Sequence, residues 1–76
     1  MKCIAKLTYE DKMWLSDVRT DDGKDVNLIL ESGSFDALVE RLKIALPEML
    51  ELSFNYKGDI KLLLEVERTE DIRGIA

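Results

Sequence analysis

The order of apolar and polar residues predicts four strands and one helix. Alternation of apolar and polar residues, or a short apolar run, is typical of a strand, and one or the other occurs in four segments of the chain. These segments are residues 2–10, 13–19, 26–31 and 60–66. A pattern of helical spacing lies between the third and fourth segments, so the predicted order is β-β-β-α-β.

The helix is predicted to begin after Ser34, because a serine hydroxyl can accept a hydrogen bond from the first free backbone amides of a helix. Apolar residues then recur at three- and four-residue spacing, which aligns them on one helix face. They are Phe35, Leu38, Val39, Leu42, Leu46 and Met49. Pro47 has no amide hydrogen and clashes with the preceding turn. We therefore expect the helix to stop or kink near Leu46, with a further turn from Pro47 to Leu52.

The first two strands are predicted to form a hairpin with Asp11 and Lys12 as its loop. A two-residue loop places Glu10 opposite Met13, and the rest of the register follows by counting outward. The pairs Tyr9–Trp14, Leu7–Ser16 and Ala5–Val18 then lie on one side of the sheet. That side is the natural core face, so we interpret Trp14 as a core residue.

The predicted fold class is α+β, a two-layer arrangement with the helix on one face of a four-stranded mixed sheet. A right-handed crossover from the third strand through the helix places the fourth strand parallel to the first. The expected strand order is 3-2-1-4. Residues from about 69 onward are polar, and we expect them to form a flexible tail.

Composition favours a single small domain spanning residues 1–76. The chain has 46% hydrophobic residues, enough for a folded core, and a net charge of −5. An acidic surface repels nucleic-acid phosphates and favours a basic protein partner. No secretion signal and no run of about 20 apolar residues is visible, and there is one cysteine, Cys3. We therefore expect a cytoplasmic protein with no membrane contact and no direct contact with nucleic acid.

The sequence offers no recognisable catalytic chemistry. It contains no histidine, the commonest general base and metal ligand, and Cys3 has no histidine to activate it. The acidic turn from Thr20 to Lys24 does not have the ligand spacing of a calcium loop. We expect no enzyme activity, no cofactor and no metal site.

Several segments resemble the HicB-like antitoxins, in particular a small subgroup described only as a domain of unknown function. The matching positions are Trp14, Leu28, Leu30, Glu31, the run Ser34-Phe35-Asp36-Ala37-Leu38-Val39-Glu40, and the run Leu46-Pro47-Glu48-Met49-Leu50. The chain departs from that pattern at Asn27, where such proteins carry glycine. The resemblance implies a single HicB-like domain with a degraded RNase H-like fold. It also implies a function: stoichiometric binding and neutralisation of a small basic HicA-like toxin that cleaves mRNA.

One helix can cover only one face of a four-stranded sheet, so the opposite face is a candidate binding surface. Five apolar residues are predicted to lie there: Ile4, Met13, Leu15, Ile29 and Leu63. We interpret them as a patch buried by a partner, or by a second copy in a homodimer. The helix acids Asp36 and Glu40 are further candidates for contact with a basic partner. The alternative function is an oligomerisation module with the same fold and no toxin partner.

Overall fold

The computed structural model describes residues 1–75 and has the predicted α+β architecture. The elements are β1 (Lys2–Glu10), β2 (Met13–Thr20), β3 (Asp25–Ser32), α1 (Phe35–Phe54) and β4 (Lys61–Glu67). The four strands form one sheet in the order β3-β2-β1-β4. β4 is parallel to β1, and the other neighbouring pairs are antiparallel. The predicted fold class, strand order and parallel pairing of the first and fourth strands are therefore confirmed.

The β1–β2 hairpin has the predicted register. Glu10 pairs with Met13 and Tyr9 with Trp14, and the pairing continues regularly to Cys3 and Thr20. The loop residues Asp11 and Lys12 have φ values of 51° and 63°. Positive φ at both central residues gives a turn whose twist matches that of the flanking strands.

The core lies between α1 and the helix-facing side of the sheet. Fully or almost fully buried apolar residues come from the first three strands and from one helix stripe. They are Cys3, Ala5, Leu7, Trp14, Val18, Val26, Leu28, Leu38, Leu42, Leu46 and Leu50. The Trp14 ring lies 5.0 Å from the rings of both Tyr9 and Phe35, so the predicted core role of Trp14 is confirmed.

The sequence pattern predicts a stop or a kink near Leu46, but α1 runs as one helix from Phe35 to Phe54, so a stop there is wrong. Ser34 caps α1 as expected, its hydroxyl accepting from the Ala37 amide at 3.3 Å. The helix then continues past Pro47 to its C-cap Asn55, whose φ of 52° is left-handed. Pro47 and Lys43 are both exposed. Water can therefore reach the Lys43 carbonyl, which lacks the usual amide partner four residues later.

Buried leucines on both sides of the proline explain why the helix continues. Leu46 and Leu50 lie on the stripe that faces the sheet. Ending the helix at Leu46 would leave Leu50 outside the core. The hydrogen bond that Pro47 cannot donate to the Lys43 carbonyl, by contrast, lies on the exposed side of the helix. Apolar burial therefore outweighs the local preference of proline.

β3 contains a bulge at Asn27. Asp17 pairs with Ile29 and Arg19 with Asp25, so β3 has two more residues than β2 over the same interval. Asn27 has a φ of 58°, and its amide donates to the Asp25 carboxylate at 2.8 Å. Glycine and asparagine are the residues that adopt this left-handed conformation most readily.

The helix covers the sheet unevenly. The backbone of α1 comes closest to β3 and β2, but the helix-facing side chains of β1 are also fully buried. Val66 lies on the helix-facing side of β4 but is 52% exposed. No helix within residues 1–75 is long and apolar enough to cross a membrane.

Candidate functional site: the open face of the sheet

The open face of the sheet is the side that α1 leaves uncovered. It carries all five apolar residues that the sequence assigns to it, because each belongs to the opposite strand parity from the buried residues. Ile29 is 72% exposed and Leu63 is 45% exposed. Ile4, Met13 and Leu15 are half-buried.

These five residues form two separate groups. Ile4 pairs with Leu63 near the β4 edge. Met13, Leu15 and Ile29 lie on β2 and β3, on the other half of the sheet.

A charged row separates the two groups. Asp17, Lys6 and Glu65 lie side by side on β2, β1 and β4. Two ion pairs strengthen this division, because Lys6 contacts Glu67 at 3.3 Å and Arg19 contacts Glu65 at 3.6 Å. The open face is therefore a set of two small apolar areas with charges between them.

The larger group has a regular chemical pattern, in which each apolar residue lies opposite an acid on the neighbouring strand. The register pairs are Met13 with Glu10, Leu15 with Glu31, and Ile29 with Asp17. We call these six residues the acid-rimmed patch. It borders a shallow depression of about 310 Å³, which is lined by four of its members together with Lys6, Thr8 and Ser16.

The acids of the acid-rimmed patch form no ion pair among the described residues, although Lys6 lies opposite Asp17 in the register and its ammonium contacts Glu67 instead. In the part of the chain that the structure describes, no lysine or arginine lies within 4.0 Å of the carboxylates of Glu10, Asp17 or Glu31. Arg41 comes near, but its guanidinium donates to the backbone carbonyl of Glu31 at 2.7 Å. The surface is therefore both apolar and acidic.

The helix acids that the sequence offered as candidates lie on a different surface. Asp36 and Glu40 are exposed, and their helical positions point away from the buried leucine stripe. The Glu40 carboxylate contacts the Lys43 ammonium at 3.0 Å. One flat partner cannot contact these acids and the open face at once, because the two layers of the fold lie between them.

Sequence reasoning found the apolar members of the patch but did not identify the acids as functional candidates. Glu10 and Asp17 were available from the hairpin register, which was correct throughout. Glu31 required the pairing of β2 with β3, which the bulge at Asn27 alters. The opposition of apolar residues and acids becomes visible only when the β1–β2 register and the β2–β3 register are both known.

The remaining titratable groups do not form a reactive centre. Burial raises the pKa of the Cys3 thiol, partly offset by the charge of the N-terminal ammonium, so Cys3 is a poor nucleophile. A hydrogen bond from Thr20 lowers the pKa of Asp22, which stabilises the β2–β3 turn. Within residues 1–75, no three acidic, cysteine or histidine side chains come together as a metal site.

Comparison with known proteins gives one match. A family model described as "Domain of unknown function (DUF1902)" matches residues 4–76. Searches of curated proteins and of solved structures gave no match. Since the matched region is almost the whole chain, the protein belongs to the DUF1902 family, a family of domains of unknown function.

Proposed function

We propose that this protein is an antitoxin-type binding protein that holds a small basic protein against the acid-rimmed patch. The observation that carries the proposal is the opposition of Met13, Leu15 and Ile29 to three acids without ion pairs. Such a surface suits a segment with exposed apolar side chains flanked by lysine or arginine. Burial of the apolar residues supplies affinity, and the acids supply orientation and a fast association rate.

The net charge of −5 supports the same type of partner. Long-range attraction between an acidic and a basic protein raises the association rate, and salt reduces that effect. The resemblance to HicB-like antitoxins supplies the biological class of the partner, a small basic HicA-like ribonuclease toxin. Inhibition then requires only occupation of the toxin's basic surface.

Two isoleucines provide a matched test of the binding surface. Ile29 is 72% exposed on the open face, and Ile44 is 70% exposed on α1. Ile29→Arg removes apolar contact and places a positive charge against a basic partner. We expect it to weaken binding at least about tenfold. Ile44→Arg makes the same chemical change on the other side of the molecule and should leave affinity unchanged.

The experiment uses short basic proteins encoded beside this gene. Each is expressed alone and together with the wild-type chain, and growth is measured. The affinity of any pair that shows rescue is then measured by calorimetry at low and high salt. Rescue that is lost with Ile29→Arg and kept with Ile44→Arg supports the proposal. Failure of the wild-type chain to restore growth contradicts the antitoxin role, and equal loss with both variants contradicts the assigned surface.

A further inference from the structure

The edge of the sheet at β4 is unpaired and regular. β4 has seven residues, Lys61–Glu67, with neither proline nor glycine among them. Within residues 1–75, its only neighbour in the sheet is β1. A regular edge strand of this kind presents a row of free backbone donors and acceptors that can pair with another strand.

The hydrogen bonds of β4 to β1 determine which backbone groups are free. The Lys61 amide donates to the Met1 carbonyl at 2.9 Å, so the backbone groups of Lys61 point toward β1. Successive residues of a strand direct these groups to alternate sides. The amides and carbonyls of Leu62, Leu64 and Val66 therefore point outward from the sheet.

The sequence of β4 is complementary to itself in the antiparallel direction. Pairing two copies about Leu64 places Leu64 opposite its own counterpart and Leu62 opposite Val66 of the second copy. On the open face, Lys61 lies opposite Glu67 of the second copy. This register joins the three outward-pointing residues to one another, and it forms about six hydrogen bonds between the chains. The register that pairs the outward-pointing backbone groups is therefore the same register that places Lys61 opposite Glu67.

The charges of the free protein support this pairing. Lys61 lies beside Lys2 in the β1–β4 register, and in residues 1–75 neither lysine has an acid within 4.0 Å. At the other end of β4, Glu67 lies beside Thr8 and contacts Lys6. β4 therefore has a positive end and a negative end. Antiparallel pairing brings opposite charges together, whereas parallel pairing of two copies would bring like charges together.

Apolar burial favours the same arrangement. Val66 is 52% exposed, and Leu62 and Leu64 are only half-buried, because within residues 1–75 no further strand lies beside the outer edge of β4. Beside them, a groove of about 300 Å³ lies between the helix and the start of β4, lined in part by Leu42, Leu46 and Ile60. A second β4 would cover the edge side chains, and Leu63 would pack near the symmetry axis on the open face.

We propose that two copies of this chain form a symmetric dimer through antiparallel β4–β4 pairing centred on Leu64. The two sheets become one continuous eight-stranded sheet. The acid-rimmed patches lie near its outer ends and remain free. The dimer does not depend on the proposed toxin partner and is tested on the purified chain alone.

A charge exchange tests the register. Lys61→Glu places glutamate opposite Glu67 at both ends of the interface and leaves the Lys6–Glu67 ion pair in place. We expect it to raise the dimer dissociation constant roughly tenfold in sedimentation equilibrium at low salt. Adding Glu67→Lys to the same chain restores the opposite charges and should restore dimerisation. Lys12→Glu, the same charge change at the hairpin loop, should have no effect.

A proline substitution tests the backbone pairing. The Val66 amide points away from β1, so Val66→Pro removes hydrogen bonds of the dimer while leaving the β1–β4 bonds intact. We expect a folded monomer by circular dichroism and sedimentation. If this variant does not fold, the charge exchange decides the question. The proposal is wrong if the wild-type chain is monomeric at high micromolar concentration. A dimer that Lys61→Glu leaves unchanged, or that Glu67→Lys fails to rescue, also overturns it.

Discussion

At the scale of single residues, Asn27 shows how backbone conformation selects a side chain. Its φ of 58° lies in the left-handed region, where an L-residue with a Cβ atom is disfavoured. The sequence pattern placed Asn27 inside an ordinary strand, because alternation reports which side chains are buried and contains no information about φ. The bulge was therefore beyond the reach of the hydrophobic pattern.

Substitutions at Asn27 provide a test of this conformation. Asn27→Gly should leave the free energy of unfolding almost unchanged, since glycine adopts positive φ without steric cost. Asn27→Val should lower it by about 1–2 kcal/mol, although valine is otherwise favoured in strands. Urea denaturation of the two variants gives the comparison. A valine variant as stable as the wild type would show that the left-handed conformation is not required.

At the scale of elements, the continuous helix α1 shows where local preference yields to packing. The sequence correctly gave the helix start, since Ser34 and the apolar stripe act together. The end was missed because Pro47 is a strong local signal and the burial of Leu50 is a tertiary one. The helix ends at Phe54, and the left-handed backbone of Asn55 turns the chain so that the Tyr56 amide donates to the Leu50 carbonyl at 3.2 Å.

Pro47→Ala tests the cost of the interior proline. Alanine restores the amide that can donate to the Lys43 carbonyl, so we expect the free energy of unfolding to rise by about 1–3 kcal/mol. Thermal and urea denaturation measure the change. Glu48→Ala, at the next exposed position, is the control and should stay within about 0.5 kcal/mol of the wild type. A loss of stability with Pro47→Ala would mean that the proline fixes a bend that the packing of α1 needs.

At the scale of the whole molecule, the strand topology could be predicted from the sequence, but the extent to which α1 covers the sheet could not. The order of elements and the right-handed crossover rule together leave few arrangements, and the observed one was among them. The lateral position of α1 over β3 and β2 depends on how particular side chains pack. Periodicity in the sequence does not determine it. Nor does periodicity show that Val66, on the helix-facing side of β4, is 52% exposed.

A small domain has little stability to lose. A chain of this length is expected to unfold with a free energy of about 4–11 kcal/mol. Leu42 is fully buried in the core, so Leu42→Ala should cost about 2–5 kcal/mol and leave a large unfolded fraction under mild denaturing conditions. Ile44→Ala, on the exposed side of the same helix, should cost less than about 0.5 kcal/mol. Comparable losses in urea denaturation would contradict the assignment of the core stripe.

The bulge at Asn27 also determines how far a sheet built from this chain can grow. It interrupts the regular backbone spacing of β3, the strand at the other edge of the sheet. A bulged edge is a poor template for a further strand. In the proposed dimer the bulged β3 edges lie outermost, so we expect association through the sheet to end at two chains, whereas two regular edges would allow chains to add without limit. On that arrangement, a single asparagine in the left-handed conformation disfavours growth into fibrils.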